Sequence, residues 1–439
     1  MNINKEQENI VNFVKSEISK LHKKKIDLAK TAYSYFATFG KTIGLAKINL
    51  NRFPVFGLIE YFVTIFKDNL NLIRSHSLEI INESKHINQR ILLISNASLK
   101  DFNNNGHYFD RYFRINSNDY KNIIFILHYL ESEIPSKIEK NIILFRNKRN
   151  NFFNGIIFFL KEKFKSKNYE TSSYSNFAEK IRELIKKNIN ILNLEKVIIP
   201  YEGQPFQQSV FAEVKMTKKE IETIGYDHSV PHSLPLNLFF RTGAPDTLIV
   251  NSKSQFENSV NFLNWPQERV KLAPSLRYQK NDKEDFKNKI FFPYQIFNPK
   301  IVLNEFNNFL SRQEDFSLNK LDIKMHPVSP FIDKQKKLKN ELLNIMNKYG
   351  NKFNSKNSNK DTSIFIGATT AIIVALEKNI RVFHLCANPI LDSYSNYMWP
   401  KLRINYVSQY IFEYKVDEKN NFLTFGDNSE QFNTHYINN

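Results

Sequence analysis

Two stretches of this 439-residue chain place acid, imidazole and hydroxyl side chains where proton transfer and anion binding need them. In residues 197–231 the apolar run Val197-Ile198-Ile199 stops at Pro200-Tyr201-Glu202-Gly203-Gln204-Pro205, and a second run, Ile221 to Tyr226, delivers Asp227-His228-Ser229. Such runs read as buried strands of a parallel sheet. Ligands of open α/β sheets sit beyond the carboxyl ends of the strands, so Glu202, Asp227 and His228 are expected to face one crevice. A carboxylate there can take the proton of a hydroxyl about 3 Å away. His228 can orient Glu202, bind a substrate or act as a structural histidine bonded to backbone. The other stretch begins with Asp322-Ile323-Lys324-Met325-His326-Pro327, where His326 follows a strand that Pro327 ends. His326 can donate to a phosphate oxygen, with Lys324 on the same face, or can merely cap the strand. Phe365-Ile366-Gly367-Ala368-Thr369-Thr370 is a strand, a glycine turn and two hydroxyls opening a helix. It reads either as an anion site or as an ordinary capped helix start. Glu377, two turns further and about 10 Å along the axis, is placed to meet sugar hydroxyls or plain solvent.

The elements that must hold these groups alternate between strand and helix. Ile91–Ser98, 122–129 and 141–145 are apolar strand-like runs, and 176–190 opens with an Asn-x-x-Glu capping pattern and continues as an amphipathic helix. A helix over about 206–219 joins the Val197 and Ile221 strands, and 248–251, a helix over 254–263 and 270–273 complete this half. After a polar stretch, 279–289, the pattern restarts with 290–294, a helix near 301–311, a strand over 321–325 and a helix over 333–349. It closes with strands at 363–366 and 381–385 flanking a helix over 370–378. The expected architecture is α/β, with two Rossmann-like domains facing a cleft, residues 88–280 and 281–425, and a tail, 426–439, that is Asn-rich and frayed. Residues 1–87 read as a helical N-terminal extension without a catalytic constellation, its helices continuing through 70–81.

Composition narrows the partners. A net charge of +18 suits an anionic substrate, an anionic membrane face or nucleic acid. No nucleic-acid signature accompanies it, so nucleic acid is not the expected partner. Residues 136–190 carry 13 Lys and Arg against 5 Glu, interleaved with Phe152, Phe153, Phe158, Phe159 and Phe164. This is a solvated face over an aromatic stripe, or a patch for peripheral contact with an anionic membrane. The single cysteine, Cys386, excludes an internal disulfide, reads as core and fits a reducing cytoplasm. The start of the chain carries charges where a signal peptide needs an apolar block. The longest apolar stretch, 54–66, contains Glu60 and falls short of the ~20 residues of a membrane span.

The pair Lys-x-His-Pro (324–327) and Gly-Ala-Thr-Thr (367–370), followed by a helix with Glu377, resembles the donor half of GT-B glycosyltransferases, nearest to those using CMP-activated acidic sugars, the bacterial sialyltransferases and Kdo transferases. Tyr201–Phe206 and Gly225–Ser229 look like surface-carbohydrate biosynthesis proteins of the same group, and the likeness spans roughly 88–415. It implies a GT-B fold and a donor site of Lys324, His326, Pro327, Gly367, Thr369, Thr370 and Glu377, with His326 and the two threonines on the CMP phosphate. Glu202 stands where those enzymes carry an acidic base in a two-acid motif. Here one acid precedes Gly203, which leaves Asp227 as the rival. Gln204, His228 and Arg241 fall on the acceptor side, where Arg241 pairs with an acidic sugar or forms a surface salt bridge.

The expectation is an inverting, metal-independent transferase acting on a nucleotide-sugar donor and a glycan or lipid-linked glycan acceptor. It uses no cofactor and works in the cytoplasm or at the inner membrane face. No Asp-x-Asp metal motif occurs in the chain. The competing expectations are a CDP-polyol phosphotransferase with histidine as base, and a non-catalytic membrane-peripheral scaffold.

Overall fold

The computed structural model describes residues 2–24, 27–29, 31–38, 40–74, 77–82, 89–148, 151–165, 172–280, 285–293, 298–312, 321–325, 333–349, 361–427 and 436–437. Three helices open the chain, α1 (Ile3–Lys23), α2 (Ile43–Arg52) and α3 (Pro54–Arg74). Asn2 and Thr42 cap the first two by accepting the amides of Lys5 and Leu45, which satisfies donors that a helix start leaves free. Next come β1 (Ser77–Ile80), β2 (Ile91–Ala97), the short pair β3 (Phe109–Asp110) and β4 (Ile115–Asn116), β5 (Ile123–Tyr129) and β6 (Ile142–Lys148). They are followed by α4 (Phe152–Lys165), α5 (Ser173–Ile191), β7 (Lys196–Pro200), α6 (Pro205–Thr217), β8 (Glu222–Tyr226), β9 (Thr247–Val250), α7 (Lys253–Asn261), β10 (Val270–Leu272) and β11 (Ser275–Gln279).

The first sheet runs β1-β6-β5-β2-β7-β8-β9-β10, parallel throughout except for β1, which pairs antiparallel with β6 at one edge. Without that edge strand the parallel strands follow the doubly wound order 3-2-1-4-5-6, extended by one. The order reverses between β2 and β7, and the crevice for a ligand opens at such a reversal. Central strands have both faces covered, which is why Ile91–Ile94 and Ile123–Leu127 are unbroken apolar runs with every residue buried.

The second half comprises β12 (Lys289–Phe291), α8 (Pro299–Arg312), β13 (Asp322–Lys324), α9 (Asp333–Tyr349), β14 (Thr362–Ile366), α10 (Ala371–Glu377), β15 (Arg381–Leu385) and α11 (Pro389–Asp392). β16 (Leu402–Tyr406), β17 (Ile411–Val416) and β18 (Phe425–Gly426) end it. Its sheet is ordered β13-β12-β14-β15-β17-β16, the first four strands parallel and the last two antiparallel. That order places a second reversal between β12 and β14, next to Gly367.

Two expectations are corrected here. The segment 1–87 is not wholly helical: α3 ends at Arg74, and residues 77–80 form an edge strand instead of continuing a helix, because Ser77–Ile80 completes the free side of β6. The Gln7 amide donates to the carbonyls of Ile390 and Ser393 at 2.8 and 2.9 Å while accepting from the Ser395 hydroxyl, so α1 braces the second half. The tail is anchored at two points, since β18 pairs with β11 and Ile437 is buried against the first sheet. At the junction of the halves, Trp399, Tyr394 and Met398 share one continuous core with Leu263, Trp265 and Val230.

Candidate functional site

The turn after β7 is built by Gln207 of α6. Its side-chain oxygen accepts the amides of Glu202 and Gln204 at 3.0 and 2.9 Å, and its nitrogen donates to the Pro200 carbonyl. Gly203 has φ +64°, and a Cβ there would lie 2.0 Å from the Asn237 carbonyl oxygen, so only glycine lets the two backbones meet. The turn aims Glu202 across the sheet edge. One carboxylate oxygen lies 3.3 Å from His228 Nε2, and the other accepts from the Gln204 amide at 2.7 Å. About a third of the Glu202 side chain meets solvent (33%), so the pair is reachable from outside.

His228 follows β8 and is buried. Its ring meets the edge of Tyr112 at 4.4 Å between centroids, and its Nδ1 is buried without a hydrogen-bond partner among the described residues. The Tyr112 loop is held by buried Asp110, which accepts the amides of Tyr112 and Phe113 and the Tyr108 hydroxyl. The Glu202–His228 pair therefore stands at the carboxyl ends of β7 and β8, beside the β2/β7 reversal.

Asp227 is buried. It accepts the Ser229 hydroxyl at 2.6 Å and the Gln255 amide at 3.1 Å. Burial pushes its carboxyl up to about 6, against the lowering pull of Ser229 and His228. Glu202 moves the other way: burial raises it, but hydrogen bonding and charge from His228, with help from Gln204 and His232, hold it down at about 2. Burial pushes the neighbouring His232 imidazole down to about 4. Two carboxyls side by side with pKa values driven apart are the pattern of an acid–base site.

Arg241, expected at an acidic sugar or in a surface salt bridge, is instead buried. Its Nε donates to Gln208 at 2.8 Å, one terminal nitrogen donates to the Gly203 carbonyl at 2.7 Å, and the other, Nη1, has no partner among the described residues. Burial lowers its pKa to about 10, offset by Tyr201 and Tyr35. Tyr35 comes from the N-terminal segment. Burial raises its phenol strongly, and the charge of Glu202 adds to that. Its ring lies 6.1 Å from that of Tyr174 on α5. Sequence reading missed Tyr35 because nothing local marks it: only the docking of the segment, with the Ser209 hydroxyl donating to the Ala29 carbonyl, brings it here.

The second half is distributed differently. His326 and Pro327 lie outside the described residues. The Lys324 ammonium lies over the rings of Phe291 and Phe286, 5.5 and 5.8 Å from their centroids. Gly367 turns the chain after β14 with φ +63°. Its amide donates to Leu385 and its carbonyl accepts from His384 Nε2 at 2.7 Å. The Thr369 hydroxyl accepts the Ala371 amide at 3.4 Å, while Thr370 caps α10 without a side-chain hydrogen bond.

Glu377 departs from both expectations, a contact to ribose and a solvated helix glutamate. It is buried, and its two oxygens accept the amides of Asn420, Phe422 and Leu423 at 2.7 to 3.3 Å. The loop it holds then crosses to the first sheet, where Ser254 donates to Asn421 and Thr424 to Asn251. Beside this crossing a recess lined by Asp227, His232, Gln255, Asn258 and Trp399 has a volume of about 10 Å³, room for one water. Among the described residues no group of three or more His, Cys, Asp or Glu is placed to hold a metal ion. Among them, too, no helix is long and apolar enough to cross a membrane.

No family model and no curated protein matches this chain. Among solved structures it is similar to a glycosyltransferase from Rickettsia africae ESF-5, with 12% identity and a TM-score of 0.30, over 70% of this chain and 86% of that one. A likeness at that score fixes neither fold nor chemistry, which rest here on strand order and on the residues at the sheet edge.

Proposed function

We propose that the chain is an inverting GT-B glycosyltransferase that moves an acidic sugar of sialic acid or Kdo type from a CMP-activated donor to a surface glycan. The observation that carries the reading is the Glu202–His228 pair beside Asp227, at the switch point of a doubly wound sheet, with the two carboxyls driven to about 2 and about 6. Glu202 stays ionised at neutral pH and can receive the acceptor hydroxyl's proton at its solvent-facing edge, becoming a neutral carboxylic acid, while His228 Nε2 at 3.3 Å holds its orientation. Gln204 and Arg241 fix the turn that aims it. The donor is assigned to the Gly367–Thr370 turn together with Lys324, His326 and Pro327, on the strength of the motif resemblance. In this assignment hydrogen bonds stabilise the leaving CMP and no metal is required. Glu377 serves instead as the anchor of the crossing loop.

A second reading is favoured by one feature, the unpartnered Nδ1 of His228, whose Nε2 is tied to Glu202. A carboxylate that orients an imidazole leaves the far nitrogen as the base, as a phosphotransferase acting on a CDP-polyol would use it. Turnover separates the two. Loss in Glu202→Gln with activity kept in His228→Ala supports glycosyl transfer by Glu202, whereas loss in His228→Ala with activity only reduced in Glu202→Gln supports phosphotransfer. The donor is tested by thermal shift: CMP is expected to raise the Tm more than UMP or GMP, and His326→Ala to abolish the rise. Equal shifts from all three nucleotides would refute the CMP assignment.

A further inference from the structure

Away from the sheet edge, α3 and α4 lie against each other. A Cβ at Gly155 of α4 would fall 2.0 Å from the Ile73 carbonyl oxygen of α3, so the glycine permits backbone contact and the pair forms one surface. That surface is strongly apolar and open. Phe56 is 79% exposed, Val55 73%, Phe153 74% and Phe164 89%, and Phe62, Phe66, Ile59 and Ile157 are more than half exposed beside them. With about 150–250 Å² per aromatic side chain, the exposed phenylalanines alone present on the order of 1,000 Å². A monomer ordinarily shows an apolar patch of a few hundred Å².

Charge decides what covers it. Residues 148–167 hold six Lys and Arg against one acid, and exposed Lys67, Arg74 and Lys161 belong to the same two helices. Of the two acids between 53 and 74, Asp68 is turned inward, where the Ser173 amide and hydroxyl bind it, and Glu60 accepts from Asn49. A two-fold pairing of copies through this patch would set one cationic border against its like. An anionic bilayer instead takes the aromatic rings into its acyl boundary and the lysines at its headgroups.

We propose that the α3–α4 face docks on the surface of an anionic membrane, with the phenylalanines inserted and the cations at headgroup level. The face is connected to the candidate site through a relay of contacts. Asp68 of α3 holds the start of α5 at Ser173, the next residue, Tyr174, packs on Tyr35, and Tyr35 feels the charge of Glu202. Docking thus holds the acceptor side of the site near the bilayer.

The test uses the full chain with vesicles of phosphatidylcholine, with and without phosphatidylglycerol. Co-sedimentation with the anionic vesicles is expected, weakened by salt. Phe56→Glu with Phe153→Glu is expected to lower partitioning by about 100-fold, and Lys67→Gln with Arg74→Gln and Lys161→Gln by about tenfold, at unchanged Tm. A Phe153→Trp variant gives an independent readout, because native Trp265 and Trp399 are buried. Quenching of its fluorescence by brominated acyl chains is expected. No binding to anionic vesicles, binding that both multiple variants retain, or a dimer by light scattering that Phe56→Glu dissociates would each overturn the proposal.

Discussion

Replacing Glu202 by Gln keeps the shape of the side chain and removes its charge from His228. Its carboxyl is held at about 2, against an ordinary value of 4.5. The full difference corresponds to about 3 kcal/mol. A third of the side chain meets water, and screening reduces the contribution to about 1–2 kcal/mol. The folded pKa is depressed, so this stability is complete above pH 4.5 and is lost as pH falls from there through about 2. Urea unfolding of both proteins at a series of pH values is expected to show Glu202→Gln weaker by about 1–2 kcal/mol at neutral pH, with the gap closing by about pH 2. Other depressed carboxylates, such as Glu17 and Glu413, cancel in the comparison. Turnover in the same variant is expected to fall by about 10²–10⁴, the range for a positioned acid or base. A stability gap that stays constant down to pH 2, or none at pH 7, would show that the carboxylate is not ionised against His228, and the acid–base reading would go with it.

Asp227 gives the opposite sign. Burial raises its pKa from 3.8 to about 6, so the wild type loses stability as pH rises through that window; urea unfolding of Asp227→Asn is expected to gain about 2–3 kcal/mol on it between pH 4 and pH 7. Glu377→Gln replaces one of two acceptor oxygens with a donor facing backbone amides. A loss of about 2–3 kcal/mol in urea unfolding is expected, with CMP affinity kept if the donor contacts lie in the Gly367 turn. Trp399→Ala empties a buried site at the junction of the halves and frees the Ser233 carbonyl, which calorimetry should register as about 3–5 kcal/mol.

The strands that carry the candidate site were legible because they are buried on both faces. Ile198–Ile199, Ile224 and Ile364–Ile366 cannot be polar without leaving orphaned groups, so the run and its polar stop are written in the chain. The helix at 333–349 and the strand at 381–385 were read with the bounds they have. Edge strands were not legible. β16 has Arg403, Asn405 and Tyr406 exposed, and β1 is only partly buried, so neither shows a sustained apolar signal; β16 is placed by its hairpin partner β17 and β1 by the remote β6. The start of α5 was placed too late, at Asn176, because Ser172 caps it through Ser175. Burial of single charges escaped the sequence altogether. Arg241 and Glu377 look like surface residues until Gln208, Gly203 and the 420–423 amides, all remote in sequence, arrive to satisfy them.

The same remoteness explains a polar chain that no local motif announces, running from the Gly367 turn to the loop after β8. His384 Nε2 lies 2.7 Å from the Gly367 carbonyl and therefore carries the proton, which leaves Nδ1 to accept from the Tyr414 hydroxyl at 3.1 Å. Tyr414 in turn accepts the Tyr394 amide, and the Tyr394 hydroxyl donates to the Pro231 carbonyl. Burial drives the His384 pKa to about 4, so at neutral pH the ring keeps the one tautomer that fits this order of donors. Moving the Asp227–His232 loop away from the Gly367 turn would strand at least one buried polar group at a cost of about 1–3 kcal/mol. A ligand that bridges Glu202 and Gly367 therefore meets two edges already held in register, and an opening motion must either carry these elements together or draw on binding free energy to separate them.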